Sequence, residues 1–133
     1  MKYIFFFITF ILISSCSQDT KEIVTKVEGE NLEKQMIQAY NAGLEALEKN
    51  DMYYAAKKFN EAELIFPQSD WAPRASLMAA YAYWLNGFYN DSINELKRFV
   101  KLYYKHENLD YAYYLIAMNY YDSIVNEKKD LRP

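Results

Sequence analysis

The chain has 133 residues, a formal net charge of −3 and no basic tract, which allows one modest domain and disfavours nucleic-acid binding, where clustered Lys and Arg must meet phosphate. A single cysteine excludes an internal disulfide, and a single histidine leaves no Cys and His set at metal-ligand spacing. Tyr accounts for 14 residues, more than a small core needs, and since Tyr suits places where one end of the ring is dry and the other wet, a binding surface is expected to hold the surplus.

Lys2 precedes an apolar run from Tyr3 to Ile13, followed by Ser14 and Ser15. The run is too short for a bilayer crossing, which takes roughly 20 apolar residues. A positive start, an apolar centre and a small-residue exit are instead the parts of a secretory signal. The stretch "ISSC", Ile13 to Cys16, resembles the bacterial lipobox. That resemblance implies a signal peptide over residues 1–15, cleavage before Cys16, and acyl lipid, palmitate included, on Cys16. Ser17 in place of Asp after the cysteine implies sorting to the outer membrane. Cys16 as an ordinary buried small residue is disfavoured, because the hydrophilic "SQDTKE" that follows leaves no element to bury it. Residues 16–31 are polar and read as the lipidated cysteine with a flexible tether.

A helical period starts at Leu32. Leu32, Met36, Ala39, Tyr40, Gly43, Leu44 and Leu47 fall at three- and four-residue steps, giving one apolar face, and this helix is expected to stop near Asn50. A second helix is predicted from Asp51 to Phe66, closed by Pro67, which pushes the residue before it out of the α region. Ser69 or Asp70 caps a third, with Pro73 tolerated in its first turn. It runs to Leu85, where Asn86 and Gly87 supply a left-handed stop. A fourth is predicted from Asn90 to Tyr104, and a fifth from Asn108 or Asp110 to Val125. No segment alternates at period two for long enough to be a strand. The fold class is therefore all-α, with short connections implying antiparallel neighbours. The domain spans residues 32–125, and residues 126–133 form a charged tail.

Small residues recur 37 apart at Gly43, Ala80 and Ala117. At the same offset Ala55 maps to Ser92, Phe59 to Leu96, Ala62 to Phe99 and Pro67 to Tyr104. Small residues let two helices approach while larger ones fill the space beside them. The first unit, with Gly43, Ala55, Phe59, Ala62 and Pro67, resembles the tetratricopeptide consensus, whose usual period is 34. The resemblance implies a helical-hairpin solenoid of two complete hairpins and a lone fifth helix, with the first helices lining a concave groove. Carried over from that family, the groove-facing positions are Tyr40 and Leu44 in the first unit, Leu77, Tyr81 and Trp84 in the second, and Tyr111, Tyr114, Met118 and Tyr121 in the third.

The "FPQS" turn at Phe66 to Ser69 with Trp71 and Ala72, the "LDYAYYL" run at Leu109 to Leu115, and the lipobox together resemble the BamD family, tetratricopeptide lipoproteins of the outer-membrane β-barrel assembly machine. The resemblance covers residues 32–133 and the signal. It implies a lipid-anchored adaptor on the periplasmic face of the outer membrane that recognises unfolded β-barrel substrates. The implied partners are the barrel-forming assembly subunit and companion lipoproteins, together with the membrane that holds the lipid on Cys16. The family continues through further repeats that carry the docking surfaces. The stop at Pro133, after only the first helix of a third unit, is read here as a truncation or a fragment.

The residues present no catalytic constellation and no cofactor-binding motif. His106, in the charged turn "YKHEN", reads as a solvated turn residue rather than a metal ligand. Carboxylates have helical partners at hand, Glu45 with Lys49 and Glu95 with Lys97 and Arg98, which accounts for them without catalysis. Glycine is too rare for a phosphate loop. An anchored binding adaptor is thus the leading class. Two alternatives stay open: a different periplasmic tetratricopeptide lipoprotein scaffolding an envelope or cell-wall enzyme complex, and the helical scaffold of an enzyme whose catalytic part lies on another chain.

Overall fold

The structure is a computed structural model that describes residues 19–129, with side chains over residues 28–124. The signal peptide and Cys16 lie outside the described residues. The chain divides into a unit of residues 1–31 and a unit of residues 32–133. Five α-helices and no strands make up the described residues: α1 (Asp19–Glu48), α2 (Met52–Ile65), α3 (Ala72–Leu85), α4 (Tyr89–Leu102) and α5 (Leu109–Lys129). α2 packs on α3, α3 on α4 and α4 on α5, and α3 also touches α5, as expected where the first helices of successive hairpins are neighbours.

Two boundaries differ from expectation. Backbone from Asp19 onward is helical where an open tether was expected, because "DTKEIVTKVEGEN" contains no proline and several good helix formers. At the other end α5 runs past Val125 to Lys129, where the expected tail begins with residues that tolerate a helix and finish it with Lys, favourable at a C-terminus.

The 37-residue offset governs the backbone itself. α1 and α3 end at Glu48 and Leu85, α2 and α4 begin at Met52 and Tyr89 and end at Ile65 and Leu102, and α3 and α5 begin at Ala72 and Leu109. Each pair is separated by 37 positions. The turns repeat too. Asn50 and Gly87 are both left-handed, at φ 60 and 76. After α1, Asn50 N–H bonds to Leu47 C=O and Asp51 N–H to Ala46 C=O; after α3, Gly87 N–H bonds to Trp84 C=O and Phe88 N–H to Tyr83 C=O. This paired closure is the Schellman arrangement, which satisfies carbonyls that the helix end would otherwise leave open. Asp51 then caps α2 by accepting the Tyr54 N–H at 3.1 Å.

The second kind of turn repeats with different chemistry. Ser69 Oγ accepts the Ala72 N–H at 3.2 Å as α3 begins, settling the choice between Ser69 and Asp70. Its counterpart 37 residues on is His106, whose Nδ1 accepts the Asn108 N–H at 3.2 Å while its ring meets Phe99 edge-on at 5.6 Å. His106 is therefore a half-buried turn residue rather than a freely solvated one.

The core is built of alanines around a few large groups. Met36, Ala39, Ala62 and Ala75 form one cluster; Ala46, Ala55, Ala56, Phe59, Ala79 and Ala82 form a second; Leu77, Ala80, Leu96, Phe99, Ala112 and Leu115 form a third. Gly43 marks the close crossing of α1 and α2. A Cβ built there would lie 2.7 Å from the Phe59 ring, so glycine is what lets the ring seat against the α1 backbone. At the equivalent positions of the next hairpin, Ala80 shares a cluster with Leu96. One methyl more on the first helix goes with a smaller side chain on the second.

Candidate functional site

Two pairs of rings lie on the neighbouring helices α3 and α5. Tyr81 and Trp84, three residues apart and so on one face of α3, have ring centroids 5.7 Å apart and tilted by 51°. On α5, Tyr111 and Tyr114 sit at the same spacing with rings stacked at 6.1 Å and 25°. Trp84 joins the helices directly: its indole N–H donates to Asp122 Oδ2 at 2.8 Å. Burial raises the Tyr111 phenol above its ordinary pKa, and the neighbouring Tyr81 and Tyr114 phenols add to the rise. The row therefore links the two helices.

Four of the nine expected groove residues, Tyr81, Trp84, Tyr111 and Tyr114, come together in this way. Tyr114, Tyr111 and Tyr121 are exposed, and Met118 is half-buried. Leu77 is not a surface residue. It belongs to the core cluster beneath Tyr81 and Trp84, because its position on α3 turns its side chain inward to Leu96 and Phe99. Tyr40 is likewise committed to packing, edge-on to Phe59 at 5.1 Å and to Trp71 at 5.4 Å. Burial raises its phenol pKa, opposed by the nearby charge of Arg74. Leu44 stands exposed on α1. Arg74, at the start of α3, lies with its guanidinium 5.4 Å over the Trp71 ring.

A buried charge cluster escaped sequence reasoning. Glu63 on α2, only 4% exposed, accepts Arg98 Nη1 at 2.7 Å, Arg98 Nη2 at 2.6 Å and the Tyr103 hydroxyl at 2.7 Å. Arg98 also donates to Glu95 Oε2 and to Ser76 Oγ. Hydrogen bonding to Glu63 raises the Arg98 pKa against the opposing effect of burial. Burial, with donation to Glu63, pushes the Tyr103 phenol well up. The Glu95 to Arg98 pair was legible as a helical neighbour, but Glu63 lies 35 residues away on another helix. Both Glu63 oxygens are taken up by Arg98 and Tyr103, which makes the cluster a staple between α2, α3 and α4.

Concave surfaces elsewhere are poor in convergent chemistry. A hollow of about 470 Å³ at the α1–α2 turn is lined by Ala42, Glu45, Ala46, Lys49, Asp51 and Tyr54. Glu45 there pairs with Lys49 at 3.6 Å, as their spacing suggested. No group of three His, Cys, Asp or Glu able to hold a metal occurs among the described residues. None of their helices is long and apolar enough to cross a membrane.

The sequence model of the YfiO family, described as outer membrane lipoprotein, matches residues 32–133. The outer membrane protein assembly factor BamD of Caulobacter vibrioides is 33% identical over 91 residues, covering 68% of this chain and 30% of that protein. BamD of Rickettsia prowazekii is 33% identical over 91 residues, 68% of this chain and 36% of its own. BamD of Xylella fastidiosa strain Temecula1 is 28% identical over 111 residues, 84% of this chain and 36% of its own. The chain spans about a third of the length of the curated relatives it matches.

Proposed function

The chain belongs to the YfiO family of outer membrane lipoproteins, and on that premise we propose that it is a lipid-anchored adaptor in the assembly of β-barrel outer membrane proteins. Cys16 carries the anchor. The rings on α3 and α5 take extended, aromatic-ended segments of unfolded substrate, with the barrel-forming assembly subunit and companion lipoproteins as the other partners. Support for assembly comes from the relatives, each named as an outer membrane protein assembly factor. Support for the substrate comes from a single observation: Tyr81, Trp84, Tyr111 and Tyr114 present neighbouring rings across two helices. Such rings offer a large apolar contact at little cost in side-chain entropy, and Trp and Tyr dominate binding hot spots.

Trp84 is the anchor of this reading, a half-buried ring beside Tyr81 whose N–H is held by Asp122. With Trp71 replaced by Phe, the fluorescence of Trp84 shifts when a peptide ending in an aromatic β-strand signal is added. Trp84→Ala weakens that binding by about 2 kcal/mol or more. Binding with an unchanged spectrum would move the site elsewhere on the chain. No binding by the chain in its assembled, membrane-anchored state would end the substrate reading. For the anchor, metabolic labelling with fatty acid marks the protein, and label surviving Cys16→Ala would refute lipidation at that residue.

A further inference from the structure

Trp84 and Asp122 join α3 to α5 by a part-buried bond of 2.8 Å between residues 38 apart in sequence. The 37-residue offset of the helices supplies a junction to compare with it. One unit earlier, Trp84 corresponds to Leu47 on α1 and Asp122 to Leu85 on α3. Leu47 packs half-buried against the cluster that holds Ala46, Ala79 and Ala82, and so helps to seat α1 on α3. Leu85 is half-exposed, at 43%. The first junction is thus built with two leucines where the second has an indole donor and a carboxylate acceptor. Stacking one hairpin on the next does not call for a polar bond at these positions. Once Trp replaces Leu, however, a half-buried N–H needs an acceptor, since leaving it unpaired is costly, and a carboxylate is a stronger acceptor than a neutral group.

We propose that Asp122 is a positioning residue of the peptide site: through Oδ2 it fixes the Trp84 indole in the orientation that meets the aromatic end of an extended segment. The inference rests on the substrate reading given above and adds to it the residue that sets the anchor. An indole can turn about two side-chain torsions, and reversing the ring about the outer one carries Nε1 to the opposite edge. The bond to Asp122 selects the orientation with Nε1 toward α5, while Tyr81 flanks the ring at 5.7 Å and a tilt of 51°. Leu77 and Ala80 belong to the cluster against which both rings pack, so the inner side of the pair is set by the core and the outer side by Asp122. A ring held in this way has little rotamer freedom left to lose on binding, and affinity rises accordingly.

The test uses the full lipidated chain in detergent micelles with Trp71 replaced by Phe, which leaves Trp84 as the one indole, and as probe a synthetic strand peptide ending in Phe. The indole N–H resonance reports the bond and a titration reports Kd. Asp122→Asn keeps an acceptor oxygen and is expected to hold the resonance near its wild-type position, with Kd within about twofold. Asp122→Leu installs the residue of the first junction. It is expected to move the resonance and to raise Kd roughly three- to tenfold, with a circular dichroism melt that stays cooperative. Asp122→Ala, which removes the acceptor without adding bulk, should do the same. In a Trp84→Phe background, where no N–H remains, Asp122→Leu should leave Kd unchanged, because the carboxylate acts only through the indole. A wild type that binds no better than Asp122→Leu and Asp122→Ala would overturn the proposal, as would an equal loss in the Trp84→Phe background or an Asp122→Asn chain as weak as Asp122→Leu. A wild type that ignores the peptide, while its resonance still shows the bond, would end the substrate reading and this inference with it, an outcome distinct from the other three.

Discussion

Arg98 holds Glu63 through two parallel hydrogen bonds, Nη1 to Oε1 at 2.7 Å and Nη2 to Oε2 at 2.6 Å, and so ties α4 to α2 across Ser76 of α3. Breaking such a pair strands a buried carboxylate, which costs far more than the pair itself contributes. Arg98→Met is therefore expected to lower the unfolding free energy by about 3 to 5 kcal/mol, whereas Glu63→Met combined with Arg98→Met loses much less. Urea melts of the two variants decide the matter: equal losses would mean that the charges are not coupled.

Tyr103 makes the same cluster sensitive to alkali. An unfolded tyrosine titrates at 10.0, and in the folded chain burial and the bond to Glu63 raise that value. The folded state then holds the phenol proton longer than the unfolded one. Its contribution is complete below pH 10 and is lost as pH rises through the folded value. Stability is expected to fall above pH 10 with a steeper slope in the wild type than in Tyr103→Phe. Thermal melts across that range should show parallel curves if Tyr103 is not involved.

Gly43 and Phe59 form a size-matched pair. Because a Cβ at residue 43 would meet the buried Phe59 ring at 2.7 Å, Gly43→Ala is expected to cost about 1 to 3 kcal/mol by overpacking, and Gly43→Leu at least as much. Adding Phe59→Leu to Gly43→Ala reproduces the Ala80 and Leu96 combination of the second hairpin and should recover part of the loss. A neutral Gly43→Leu in denaturant melts would contradict the close crossing.

Asn119 is fully buried, with Nδ2 donating to Leu115 C=O at 2.8 Å and Oδ1 without a partner. Replacing it by Leu, similar in shape, removes an unsatisfied carbonyl from the core. Asn119→Leu is expected to raise the melting temperature, by about 1 kcal/mol in stability. A destabilised variant would show that the amide is serving the fold.

The all-α class, the order of the helices and the 37-residue unit could be read from residue types alone, because each rests on local physics. Proline, asparagine, glycine and capping side chains stop and start helices within a turn, and small residues at a fixed interval announce close crossings. Gly43 and Ala80 behaved accordingly, buried at their crossings. Ala117, at the same interval, lies exposed on α5, since a small side chain marks where a neighbour could come but cannot supply the neighbour.

What only the tertiary structure decided is which of two similar faces each ring occupies and which distant charges meet. Leu77 and Tyr40 carry the same periodic signal as Tyr81 and Trp84, yet Leu77 enters the core and Tyr40 is wedged between Phe59 and Trp71. A turn of helix shifts a side chain by about 100° per residue, so a face assignment depends on how each helix is rotated against its neighbours. Glu63, Arg98 and Tyr103 show the limit most plainly. Local spacing pairs Arg98 with Glu95 three residues away, whereas the bond to Glu63 exists only because α2 and α4 are brought side by side around α3.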